Sequence, residues 1–172
     1  VHSHRFALSI METEPEFQPL WNEIRAAIHN ITEQDIIDNF LLQKKRGKSI
    51  SVSVNQLFKD QFIKAGWSCE SPIFNDPEYN STGKEKDNWR LDFAKDDISI
   101  EVAFNHSSAI AWNLLKPVLA SELNHVEKAI QARLGVIICA TSELRVAGGF
   151  DAAIGTYDKF LKYLLPLNNQ LS

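Results

Sequence analysis

Trp89-Arg90-Leu91-Asp92-Phe93-Ala94-Lys95-Asp96-Asp97-Ile98-Ser99-Ile100-Glu101-Val102-Ala103-Phe104 is the stretch on which the fold turns. Trp89, Leu91 and Phe93 alternate with polar residues, and Ile98, Ile100, Val102 and Phe104 do the same after the polar turn Ala94-Lys95-Asp96-Asp97. A period of two on both sides of a short turn is a β-hairpin. A turn centred on Asp96-Asp97 sets Asp92 directly opposite Glu101. A turn slipped to Lys95-Asp96 sets Asp92 against Ser99 and Glu101 against Arg90. Either register leaves the two carboxylates on one face, because opposed residues share a face and alternation preserves it.

Outward from the hairpin the period changes. Towards the N-terminus, Phe17, Leu20, Trp21, Ile24, Ile28 and Ile31 recur at steps of three and four, which predicts an amphipathic helix over 16–31. Thr32 is placed to cap a short helix carrying Ile36, Ile37, Phe40 and Leu41. Val54, Leu57, Phe58, Phe62 and Ala65 predict another helix over 53–65, with Gly66 where a left-handed cap belongs. The polar stretch 70–88 contains Pro72, Pro77 and Gly83 and is expected to be mostly loop, with any strand confined to Ile73-Phe74. Towards the C-terminus, 110–123 reads as a helix kinked at Pro117. Gly135–Ala140 reads as an apolar strand in the middle of a sheet. Gly148-Gly149 marks a loop, and 151–165 reads as a last helix stopped by Pro166. The order of elements implies an α/β fold with a mixed central sheet flanked by helices. The expectation is a single domain over 1–172, with trimming at both ends left open.

Composition narrows the function. The 172 residues are 44% hydrophobic and 23% charged, with ten Phe and four Trp, as in a globular protein. Eighteen Lys and Arg against 22 Asp and Glu give a formal charge of -4, which excludes coating nucleic acid through bulk positive charge and leaves room for a local basic groove. Cys69 and Cys139 form neither a disulfide framework nor a zinc spacing. No apolar run has the length of a membrane span, and Val1-His2-Ser3-His4-Arg5 is unlike a signal peptide, so a cytoplasmic protein without membrane contact is expected. Neither a glycine-rich phosphate loop nor a Gly-x-Ser-x-Gly elbow is present. The four Trp residues, Trp21, Trp67, Trp89 and Trp112, fall on or beside apolar stripes and are expected as core or half-core anchors.

The hairpin remains as the place for chemistry. Opposed residues have β-carbons about 4.5–5.5 Å apart, and diagonal ones about 7–8 Å. Two carboxylates so placed repel, and a divalent cation reverses the sign; hard oxygen ligands suit Mg²⁺. The plain alternative is a solvent-facing polar side on which acids happen to fall. Asp92, eight intervening residues and Ile100-Glu101-Val102 resemble the active-site hairpin of the PD-(D/E)xK nucleases, and more narrowly that of the BglII/BstYI family of type II restriction endonucleases. Val54-Asn55-Gln56-Leu57-Phe58-Lys59 with Ala65-Gly66-Trp67 resembles the helix preceding the catalytic strands of that family. Ser3-His4-Arg5 and the Trp21 helix fall in the expected order.

The resemblance implies a restriction-endonuclease-like core, Mg²⁺ held by Asp92, Glu101 and the backbone carbonyl of Val102, and hydrolysis of double-stranded DNA by a homodimer at a short, GATC-centred palindrome. It also implies a Lys or Gln two residues after the second acid, where this chain has Ala103. Three explanations are open: a replacement that silences the nuclease, transfer of the role to Lys95, Asn105 or His106, or a protein that binds DNA without cutting it. Asn105, on the strand parity of Glu101, is the best placed of the three substitutes, whereas His106 is more readily a structural histidine. Lys44, Lys45, Arg46 and Lys48 suit phosphate contacts, which position a duplex and carry no sequence information. Lys84, Lys86 and Asn88, entering the hairpin, are placed for phosphates or base edges, and Arg90 for a phosphate or for pairing with Glu101. A solvated turn is the duller account of the 44–48 cluster. The rival reading is a catalytically inactive DNA-binding protein on the same fold.

Overall fold

The computed structural model describes residues 1–43, 50–79, 89–122 and 126–167. The chain opens with α1 (Ala7–Thr13), α2 (Gln18–His29), α3 (Glu33–Gln43) and α4 (Ile50–Lys64). It continues through β1 (Ser68–Pro72), β2 (Arg90–Lys95), β3 (Ile98–Val102) and α5 (Ile110–Ser121) to β4 (Leu134–Ile138), α6 (Ser142–Ala147) and α7 (Tyr157–Leu167). The strands lie in the order β1-β2-β3-β4; β1, β2 and β3 are antiparallel in turn, and β4 runs parallel to β3. Among the described residues no helix is long and apolar enough to cross a membrane.

The helix starts follow their caps. Thr32 Oγ1 accepts from the Asp35 N–H at 3.1 Å while the Asp35 carboxylate accepts from the Thr32 N–H at 2.8 Å, a reciprocal cap that opens α3. At the far end of α4, Gly66 adopts φ 80°, a left-handed conformation open to glycine at little cost. Phe17 at the start of α2, Leu20 and Ile24 within it, and Val54, Phe58 and Phe62 from α4 are buried against one face of the sheet, where Phe93, Ile98, Ile100 and Val102 meet them. Phe62 packs on Phe93 with ring centroids 4.8 Å apart. The opposite face is covered by α5.

Several expectations are corrected. β1 pairs along Ser68–Pro72, a segment with no β-branched or aromatic residue; its partner β2 imposes the extended form, a tertiary override of weak propensity. Ile73-Phe74 contributes single links, Ile73 N–H to the Trp89 carbonyl and a bridge from Phe74 to Lys128. β4 lies at the edge of the sheet formed by the described residues and is mostly half-buried, although its apolar run suggested the centre. The last helix begins at Tyr157, six residues later than expected. Gly155 is pressed between Phe160 and Ile110, and 151–156 is held by other bonds, including Gly155 N–H to the Asn105 carbonyl. Pro166 sits inside its final turn instead of ending it. α1 and α6 had no periodic signal long enough to be read.

Candidate active site

The hairpin pairs Phe93 with Ile100, Ala94 with Ser99 and Lys95 with Ile98, so its turn is Asp96-Asp97, with Asp96 at φ 48°. The next step outward opposes Asp92 and Glu101, the tighter of the two registers. There the carboxylates enter the ladder themselves. Val102 N–H donates to Asp92 Oδ2 at 2.7 Å, and Asp92 N–H points at Glu101 Oε1 at 3.4 Å. The Val102 carbonyl itself accepts from the Phe104 N–H at 3.2 Å. On the other flank of β2, pairing skips the step that would oppose Asp92 and Glu70, and Glu70 takes φ 54°. Three acids, Glu70, Asp92 and Glu101, thus follow one row across three strands, the first exposed, the second half-buried, the third buried.

Glu101 is 1% exposed, so this is not a solvent-facing polar side. A carboxylate removed from water without compensation costs several kcal/mol. Burial first, and then the charge of Asp92, push the Glu101 carboxyl from its ordinary 4.5 up to about 8, against the opposing pull of Lys116. Burial likewise raises Asp92, while Lys116 and the Val102 N–H hold it down.

Lys116 is the residue that sequence reasoning missed. It projects from α5, is itself buried, forms an ion pair with Glu101 Oε2 and donates to the Arg90 carbonyl at 3.1 Å. What seats it is the neighbouring residue. A β-carbon at Gly135 of β4 would lie 2.5 Å from Pro117 Cβ, so glycine at 135 is what lets α5 settle onto the sheet one residue beyond Lys116. A signal existed: Lys116 is the one charge in the apolar stretch 107–121.

The proposed substitutes for the third position lie elsewhere or are engaged. Lys95 is on the opposite face, paired with Glu23 at 2.8 Å and donating to the Ala65 carbonyl. Asn105 Oδ1 accepts from Asn113 Nδ2 at 3.0 Å. His106 Nδ1 accepts from the Ser108 N–H and caps the short turn Ser107–Ala109. Ala103 keeps the parity of Glu101, but its methyl group packs with Ile110, Leu114 and Phe160. Position 103 therefore points under α5, where a longer side chain was expected to reach the metal water. Arg90 donates to the Glu70 carbonyl at 3.0 Å. Lys44, Lys45, Arg46 and Lys48, and Lys84, Lys86 and Asn88, lie outside the described residues.

A mixed four-stranded sheet with helices on both faces, and two acids opposed on its central antiparallel pair, define the class: a PD-(D/E)xK restriction-endonuclease-like fold. The description "Restriction endonuclease BglII/BglIII" matches residues 1–172, and the chain belongs to that family. A solved structure of the restriction endonuclease BglII complexed with a DNA 16-mer is similar to it, with a TM-score of 0.54 and 20% sequence identity over 70% of this chain. The similarity spans 50% of the BglII chain, so this chain matches about half the length of that relative. A search of curated proteins found no match.

Proposed function

We propose that this protein is a Mg²⁺-dependent type II restriction endonuclease that hydrolyses double-stranded DNA. The observation that carries the reading is the opposition of Asp92 and buried Glu101 at the outer end of the hairpin. Two acids held together in that way repel, and Lys116 offsets only one negative charge. Among the described residues no group of three or more His, Cys, Asp or Glu forms a closed metal cage. Mg²⁺ fits a pair, since it keeps several waters and is bound through one or two carboxylates. Asp92, Glu101 and the Val102 carbonyl would hold it. When bound, it lowers the pKa of water and neutralises charge on a phosphoryl oxygen. In the reaction a water gives up a proton and its oxygen bonds to phosphorus. The phosphorus–oxygen bond to the leaving group breaks, and the leaving oxygen takes a proton. Family membership supports a short palindromic site, GATC-centred as the resemblance implies. Such a site matches a homodimer, because two-fold DNA symmetry is met by two-fold protein symmetry. Lys44, Lys45, Arg46, Lys48, Lys84, Lys86, Asn88 and Arg90 are the proposed DNA contacts, and the cytoplasm the proposed compartment.

Ala103, packed against α5, favours a second reading: a DNA-binding protein on this fold that does not cut. Supercoiled plasmid incubated with Mg²⁺ separates the two. Linear product supports the nuclease. Intact plasmid, together with retention of DNA on a gel in Ca²⁺, supports the binding protein.

A further inference from the structure

We propose that Lys116 supplies, from α5, the hydrogen-bond donor that sites of this class carry as Lys or Gln two residues after the second acid and that this chain lacks at Ala103. The inference rests on the nuclease reading above. Three observations converge on it. First, the sequence position is closed: the Ala103 side chain is packed with Ile110, Leu114 and Phe160, so no side chain at 103 can extend over the carboxylates without displacing α5. Second, the spatial position is filled: Lys116 Nζ lies on Glu101 Oε2 and on the Arg90 carbonyl, one carboxylate away from Asp92. Third, the placement is built into the fold. Pro117 rests on Gly135, and the buried residues Ile110, Asn113, Leu114 and Ala120 fix the face that α5 turns to the sheet.

The chemistry suits the role. An ammonium carries three donors, and two partners are accounted for by Glu101 and Arg90. The remaining N–H can reach a water or a phosphoryl oxygen beside the acid pair. Lys116 also competes with a cation for Glu101 Oε2. This distinguishes a site residue from a packing residue, because its removal should free a ligand oxygen.

The test uses the full chain with Lys116→Met and Lys116→Gln. The second keeps a hydrogen-bond donor but sets it one bond short of the lysine ammonium, and stands in should the first not fold. With wild-type protein cutting plasmid in Mg²⁺, the folded variants should cut at least about 100-fold more slowly, the order expected for loss of a positioned proton-transfer or water-orienting group. DNA retention in Ca²⁺ should be unchanged. Ca²⁺ alone, read by the shift in melting temperature, should stabilise the variants at least as much as the wild type. A lysine serving only the fold would lower the melting temperature and leave the cutting rate of folded protein intact. Cleavage within threefold of wild type, or a calcium shift lost with Lys116, overturns the inference and leaves the nuclease reading standing. Failure of the wild type itself to cut overturns both.

Discussion

The two faces of the β2–β3 hairpin share strands, register and turn, yet they bury opposite kinds of residue. One face sets Phe93, Ile98, Ile100 and Val102 against α2 and α4, aromatic and branched side chains in a continuous apolar layer. The other sets Ser99, Glu101 and Ala103 beneath α5 with Asp92 at its open edge, small and acidic side chains around one lysine. The first face needs only volume and hydrophobicity, which many sequences supply. The second retains buried charge that an apolar replacement would remove, and buried ion pairs seldom add stability over well-packed apolar residues. Its retention is accordingly better explained by chemistry than by folding.

The division of labour can be broken at either face. The largest effect is expected from Asp92→Asn or Glu101→Gln, which should reduce Mg²⁺-dependent cleavage by on the order of 1,000-fold or more. Glu101→Gln also leaves Lys116 buried without its partner and should lower the melting temperature. A Glu101→Gln enzyme that still cuts would move the site. On the apolar face, Phe93→Ala should cost about 3–5 kcal/mol in denaturant-induced unfolding. A loss below about 1 kcal/mol would mean that the layer under α4 is not the stabilising one.

pH separates the faces more finely. Glu101 and Asp92 are both raised in the fold, so the folded protein holds protons that the unfolded chain releases. Metal-free protein should therefore lose stability as pH climbs from about 4.5 to about 8. The loss should be roughly 1–3 kcal/mol and be flattened by Glu101→Gln. Unfolding curves at pH 5 and pH 8 that coincide for the wild type would show that the acids are not buried as described. The smallest effect belongs to Gly135→Ala. Its methyl must push Pro117 away, and overpacking of this kind costs on the order of 1 kcal/mol. The same shift should lift Lys116 and slow cleavage, although residue 135 touches neither acid. Unchanged cleavage with reduced stability would uncouple the seat of α5 from the site.

Much of this architecture is local and was legible. Alternation over 89–104 identifies the hairpin and puts Asp92 and Glu101 together, because a strand presents every second side chain to one face. The caps at Thr32 and Gly66 follow from short-range hydrogen bonding and backbone freedom. Even the choice of turn lay within two possibilities, and the pairing of Phe93 with Ile100 and Lys95 with Ile98 selected between them.

Other features had no local cause. Ser68–Pro72 is a strand because β2 offers it a partner, and Gly155 delays α7 because Ile110 and Phe160 close around it. Polar alternation in β3 suggested a solvated side; α5 covers it instead, and every residue from Ile98 to Val102 is buried. Residue types and spacing determined the acid pair and the family to which the chain belongs. Only the tertiary structure decided that Glu101 is buried and that it pairs with Lys116. That placement depends on α5 reaching the sheet, which depends in turn on a glycine 19 residues further along the chain having no β-carbon.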